Sequence, residues 1–293
     1  MRERIALIGA GRVGSSLAGA LHHAGLEVEF IVDRDAAAAR AAAALCGAVP
    51  AVTLAALPEG GPALIFLTVP DDAIAAAAAE LAAAAKAGPG TAVVHCSGSL
   101  PAAILAPLRP HTRRLASMHP LQSFAGRRQE WRRWRGIHIA LEGEEETVVL
   151  LEEIARRLQS RPFRLTAGAK TDYHIACVLL SNCLVGLYDA ADELLAGVEL
   201  PAEEKRAMTE PLLRNAIANV IASGPGAALT GPVSRGDTGT ITAHLRALAA
   251  ERPGLLELYR TLSLRLVKLA EQEGRLTLLQ SEQLRKLLNH PDE

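Results

Sequence analysis

Aromatic residues are scarce, 3% of 293 positions, which removes the stacking platforms that hold single-stranded nucleic acids. A charge of one sign is also missing. The 31 Lys and Arg residues face 32 Asp and Glu, so no net field draws the chain to a polyanion. Nucleic acid is therefore excluded as an expected partner. Only four cysteines occur, Cys46, Cys96, Cys177 and Cys183. They show no C-x-x-C spacing and lie in apolar runs, which predicts reduced, buried thiols and neither a disulfide framework nor a metal site. The longest apolar tract, Ala73 to Ala85, is interrupted by Glu80 and is shorter than the roughly 20 residues that span a bilayer. It reads as a helix of a water-soluble domain. Met1-Arg2-Glu3-Arg4 runs straight into a short apolar strand without the features of a secretory leader. A cytoplasmic protein that does not engage the membrane is expected. Repeats, low-complexity linkers and heptad arrays are absent as well.

At this length two domains are the natural expectation. Ile5–Ile8 is a continuous apolar run ended by glycine, the pattern of a strand buried on both faces of a parallel sheet. Helices at 13–23, 36–45 and 71–85 then alternate with strands at 27–32, 63–68 and 91–95, which predicts a doubly wound α/β domain. Further strands are expected at 114–117, 137–141 and 163–165, with a helix at 144–159 before the last. After Thr166 the strand signal stops. Apolar positions recur at helical spacing over 170–196, 202–222, 240–250, 254–273 and 281–288, between glycine and proline breaks. The fold class is thus an N-terminal Rossmann doubly wound sheet over residues 1–165, followed by an all-helical domain over 166–293.

Gly9-Ala10-Gly11-Arg12-Val13-Gly14 has G-x-G-x-x-G spacing, follows the first strand and opens a helix. The three glycines serve a tight turn, close approach to a pyrophosphate and close packing of helix on strand, and the helix N-terminus offers free N–H groups to phosphates. Asp33 follows Gly14 by 19 residues at the end of the second strand, where it can accept from ribose hydroxyls. Neighbouring Arg34 can instead pair with the phosphate of NADP, so NAD and NADP both remain open. Thr68-Val69-Pro70-Asp71 and His95-Cys96-Ser97-Gly98 end two later strands, at the sheet edge where such folds bind ligands. Thr68, Val69, Pro70 and Ser97 are expected to line the dinucleotide site, whereas His95 reads as a satisfied buried histidine.

Three clusters are candidates for substrate chemistry. In Ser117-Met118-His119-Pro120-Leu121-Gln122 the residue before proline is held extended, so His119, with Gln122, can face the cleft. Lys170, His174, Cys177, Ser181 and Asn182 form a stripe on one long helix, and polar groups on an apolar helix are costly unless paired or wet. In Thr230 to Thr240, Arg235 can fork onto a carboxylate beside Asp237 and Thr240; the structural alternative is a capped interhelical loop.

The Gly9–Gly14 turn, Ser97-Gly98, His119-Pro120-Leu121-Gln122, Tyr173-His174, Ser181-Asn182 and the run from Gly231 to Thr240 together resemble bacterial Rossmann-like reductases whose helical C-terminal domain is of unknown function. More distantly the layout is similar to ketopantoate reductase, pyrroline-5-carboxylate reductase and the 6-phosphogluconate dehydrogenase superfamily. That resemblance implies an NAD(P)-dependent reductase of a small carboxylate substrate and a homodimer formed through the helices. Ketopantoate reductases carry a catalytic lysine and an asparagine eight positions on; His174 and Asn182 have that spacing here, with Lys170 an alternative proton donor. The expected reaction is reduction of the C=O, or C=N, of a 2-oxo acid such as ketopantoate. The competing expectation is a dinucleotide sensor without turnover.

Overall fold

The computed structural model describes residues 4–124, 130–166 and 168–289. Two compact units emerge, Met1–Val185 and Gly186–Glu293. In the first, strands β1 (Ile5–Ile8), β2 (Val28–Val32), β3 (Val49–Ala51), β4 (Leu64–Leu67), β5 (Ala92–His95), β6 (Leu115–Pro120), β7 (His138–Gly143) and β8 (Arg161–Arg164) form one sheet in the order β3-β2-β1-β4-β5-β6-β7-β8. Neighbours pair in parallel except β6 with β7. The helices of this unit are α1 (Arg12–His23), α2 (Ala36–Ala43), α3 (Asp71–Ala83), α4 (Glu145–Arg157) and α5 (Lys170–Leu180).

Strands β1, β4 and β5 are buried at every residue, because both sheet faces are covered. Their alternate side chains feed two cores. Ile5, Leu7, Leu64, Phe66 and Val94 pack on one face with Leu17 and Leu21 of α1 and Leu151 of α4. Ala6, Ile65, Leu67 and Val93 pack on the other with Ile74 and Leu81 of α3. Burying a large aliphatic side chain stabilises by ~1.5–3 kcal/mol, so these two layers fix the register that brings the loops after β1, β4, β5 and β6 to one edge.

Three expectations are corrected. Val49–Ala51 forms a strand that the sequence concealed, because Pro50 cannot donate to a ladder; β3 is an edge strand, where proline is tolerated. The expected single helix over 170–196 is broken at Ser181 (φ −122°, ψ −71°) into α5 and α6 (Asn182–Leu194). The Ser181 hydroxyl bonds back to the Cys177 carbonyl at 2.6 Å, and its amide reaches only Val178 O at 3.3 Å. This is the local competition that makes serine a poor interior helix residue. The cysteines are free, as the sequence predicts, but they are not uniformly buried: Cys46 is, Cys96 and Cys177 are half-buried, and Cys183 is exposed.

α6 crosses the division between the units. The remainder of the second unit comprises α7 (Ala202–Ala228), α8 (Thr238–Glu251), α9 (Pro253–Gln272) and α10 (Leu278–Asn289). Val233, Ile241, Leu245, Val267, Leu284 and Leu288 make its core. α7 extends beyond the expected residue 222 and carries a break at Gly224, where φ is +79°. The stretch Lys170–Gly197 is long and apolar enough to cross a membrane by length and composition, although its backbone is interrupted at Ser181.

Candidate functional site

The turn after β1 separates three steric demands among its glycines. Gly9 has φ +105°, and a Cβ there would lie 2.6 Å from the Thr68 carbonyl carbon. At Gly14 a Cβ would lie 2.0 Å from Gly9 O. Both glycines are required by the protein's own packing. Gly11 is different: a Cβ there meets nothing within 4 Å, so its small size leaves room for something from outside. No side chain caps α1 at Gly11, so the first-turn amides are free for an anion. Arg12 is exposed and Val13 half-buried at that turn. The Thr68 hydroxyl donates to Gly9 O at 2.6 Å and locks the turn onto the end of β4.

A cleft of about 770 Å³ lies against this turn, lined by Gly9, Gly11, Asp33, Arg34, Thr68, Val69 and Pro70. Asp33 accepts from Ala10 N at 2.6 Å and Asp35 N at 2.8 Å, so part of its acceptor capacity shapes the loop. The Arg34 side chain is 93% exposed at the rim, with Glu80 of α3 3.9 Å away. Open space at Gly11, an uncapped helix start and a carboxylate at the end of β2 fit the pyrophosphate and ribose of a dinucleotide.

Beyond this cleft, β5 and β6 carry a polar row. His95 pairs with Ser117, and Ser117 pairs across the antiparallel ladder with Glu142, so the three side chains share a sheet face. Lys170, at the start of α5, donates to Ser117 Oγ and lies 3.7 Å from Glu142 Oε2. Glu142 Oε2 also accepts from Ser117 Oγ at 3.2 Å and Ala102 N at 2.7 Å. Burial lowers Lys170 to a pKa of about 8, against the opposing pull of Glu142. His95 is fully buried, and desolvation, with Lys170 nearby, lowers it to about 4. Ser97 N donates to its Nδ1 at 3.2 Å, leaving Nε2–H to the Pro101 carbonyl at 3.3 Å. It is thus a satisfied neutral histidine. Burial pushes the neighbouring Cys96 thiol up to about 12, which makes it inert at neutral pH.

His119 and His174 converge at Gly98. A Cβ on Gly98 would lie 2.5 Å from His174 Nδ1 and 2.8 Å from His119 Nε2. The two rings stand edge to face, 5.9 Å between centroids. His119 Nδ1 is 2.7 Å from Tyr173 Oη, whereas His174 Nδ1 is buried without a hydrogen-bond partner. Desolvation first, then the nearby His174 and Lys170, lower His119 to about 4. Ser97 and Ser99 donate to Asp71 Oδ2 at 2.7 and 2.8 Å, holding the β5 loop against the start of α3.

Ser181 and Asn182 are exposed and bonded to each other at 2.9 Å; the break between α5 and α6 ends the helical stripe that would have aligned Asn182 with His174. Gln122 is exposed and accepts from Ser123 N. In the second unit, Asp237 caps α8 by accepting from Thr240 N at 3.0 Å and Thr240 Oγ1 at 2.7 Å, and Arg235 is exposed beside it. The start of α8 is thus capped by Asp237. Sequence reasoning missed Glu142 and the part played by Tyr173. Glu142 ends an apolar strand on a buried-face position, a weak signal; nothing local marks Tyr173. Among the described residues no three His, Cys, Asp or Glu side chains are arranged to hold a metal.

These features define a Rossmann-type nucleotide fold, the fold of NAD(P)-dependent oxidoreductases. The Rossmann-like domain model matches residues 1–120, and the model of a domain of unknown function, DUF2520, matches residues 137–266. The two matches lie in tandem along the chain, the Rossmann-like domain first and the DUF2520 domain after it. A solved Bacteroides fragilis protein, to which an NADP oxidoreductase activity is ascribed, is 28% identical with a TM-score of 0.75, covering 90% of this chain and 97% of its own. A Thermotoga maritima structure is 27% identical with a TM-score of 0.70, covering 92% and 99%. Pyrroline-5-carboxylate reductase of Coxiella burnetii shares the fold at 15% identity and a TM-score of 0.54, covering 93% and 99%. No curated protein matches the sequence.

Proposed function

We propose that the protein is an NAD(P)-dependent oxidoreductase that reduces the C=O, or C=N, of a small 2-oxo acid or cyclic imine. The observation that carries this reading is the convergence of His119 Nε2 and His174 Nδ1 on Gly98, one loop along the sheet edge from the dinucleotide cleft. The cofactor, NAD or NADP, supplies the hydride when bound. Gly9, Gly11, Gly14 and the start of α1 hold its pyrophosphate, and Asp33 and Arg34 meet the adenosine ribose. Ser97, just past the end of β5, lies toward the nicotinamide, while the small size of Gly98 lets the two histidines approach the loop.

His119, neutral at physiological pH, polarises the carbonyl or imine. His174, whose Nδ1 has no protein partner, gives the proton to the developing anion. Lys170 is committed to Ser117 and Glu142 and serves as a buried positive charge beneath the site, in place of proton donor. Because Asn182 is separated from His174 by the helix break, the parallel with ketopantoate reductase is weakened, and ketopantoate is one member of the substrate class. The exposed apolar side chains of α7, Leu212 at 74% and Ile221 at 80%, support a homodimer formed through the helices.

An NADH and NADPH oxidation screen over 2-oxo acids, ketopantoate included, and cyclic imines tests the proposal. Turnover that His174→Ala and His119→Ala each reduce at least a hundredfold is expected. Dinucleotide binding without oxidation across the panel would overturn it in favour of a sensor.

A further inference from the structure

Tyr173 stands in the first turn of α5, with its phenol against the inner nitrogen of His119, Oη to Nδ1 2.7 Å. The rings are nearly perpendicular, 84°, with centroids 5.6 Å apart, and Phe163 of β8 packs edge-on against the tyrosine at 6.0 Å. The phenol is therefore braced from the sheet. The Cys177 side chain, one turn further along α5, lies near the phenol. The outer nitrogen of His119, Nε2, faces Gly98.

A neutral imidazole carries one N–H, and which nitrogen holds it is set by the partner of the other. Two arrangements are possible. If Tyr173 donates to Nδ1, the phenol proton has a nitrogen acceptor and Nε2–H is presented at Gly98. If instead Nδ1–H donates to Oη, the phenol proton is left with only a sulfur acceptor, which is weak, and Nε2 presents a bare lone pair. The first arrangement gives the phenol proton a good acceptor and leaves only Nε2–H of the pair without a protein partner; the second leaves the half-buried hydroxyl poorly paired and Nε2 bare as well.

We propose that Tyr173 is a positioning residue that fixes His119 as its Nε2–H tautomer, turning that histidine into a hydrogen-bond donor at Gly98. The charged and titratable groups around His119 agree with a neutral ring. His174 and Lys170 of α5 oppose a positive charge on it, while Asp71 of α3 favours one more weakly than burial disfavours it. Burial also raises the Tyr173 phenol, which keeps the O–H in place. The catalytic consequence rests on the reductase reading above: a fixed N–H donor stabilises charge developing on the substrate oxygen or nitrogen, at no reorganisation cost.

The test is tautomer assignment by 15N–1H NMR of the imidazoles in the full-length protein at pH 7, with His119 identified by its loss in His119→Gln. The expected wild-type result is Nε2 protonated and Nδ1 unprotonated, unchanged between pH 5.5 and 8. Tyr173→Phe is expected to give mixed tautomers and, in turnover, a kcat at least tenfold lower with KM for the dinucleotide within twofold. A wild-type Nδ1–H tautomer, or a Tyr173→Phe spectrum identical to wild type, would overturn the proposal. The tautomer assignment needs no known substrate, so it decides the tyrosine's role separately from the reductase reading.

Discussion

Ser97 Oγ donates to Asp71 Oδ2 at 2.7 Å, and Ser99 Oγ reaches the same oxygen at 2.8 Å. One carboxylate at the start of α3 thereby holds the loop that follows β5, joining the edge of the dinucleotide cleft to Gly98 and its two histidines. Hydrogen bonds to an ionised acceptor are the stronger kind. Asp71→Ala is expected to weaken NAD(P)H binding about tenfold, ~1.4 kcal/mol, measured by fluorescence titration. An unchanged Kd would show that the loop holds its position without this contact.

The glycines of the β1 turn separate folding from binding. Gly14→Ala forces a methyl group onto Gly9 O and is expected to destabilise the protein by ~1–3 kcal/mol, the usual cost of overpacking. Gly11→Ala meets open space; it should leave stability within ~0.5 kcal/mol yet weaken dinucleotide binding at least tenfold. Denaturant melts with matched binding isotherms check both. Equal affinity in Gly11→Ala would remove the pyrophosphate from this turn.

Acid should destabilise the protein through its neutral histidines. His95 holds a pKa of about 4 in the folded chain against 6.5 unfolded. Between those values the unfolded chain binds a proton that the folded chain refuses, so stability falls as pH drops from 6.5 to 4. One pKa unit corresponds to ~1.4 kcal/mol, which sets a loss of ~2–3 kcal/mol across the window. His119 adds a loss of the same sign. His95→Gln should flatten its share of the slope in pH-dependent urea melts; a slope as steep as wild type would mean that His95 is protonated when folded.

Lys170 carries the opposite end of the pH range. Its pKa of about 8 lies below the ordinary 10.5, so between pH 8 and 10.5 the unfolded chain holds a proton the folded chain has released, and stability rises with pH. Lys170→Met removes that rise. It also leaves Glu142 without its cation and should cost ~1–3 kcal/mol, less than a fully buried pair because Glu142 is partly exposed. Lys170→Met with Glu142→Gln is expected to recover most of this loss. Denaturant melts at pH 7 and 10 distinguish these outcomes.

What the sequence determined by itself is local in origin. Apolar runs ended by glycine, helical spacing and the Gly9–Gly14 turn depend on residues near one another in the chain, and they specify the Rossmann-like domain and the change to helices after Thr166. Even the two glycines required by packing can be read from their spacing. Tertiary structure decided the site. Ser117 and Glu142 meet only because β7 runs antiparallel to β6, and Tyr173 reaches His119 only because α5 returns over that sheet face. Asn182 leaves the stripe because one serine hydroxyl bonds back to a carbonyl four residues earlier. A periodic pattern assumes an unbroken helix and an isolated strand; strand direction, a single backbone break and the burial that neutralises His95 and His119 are properties of the packed sheet and the elements around it.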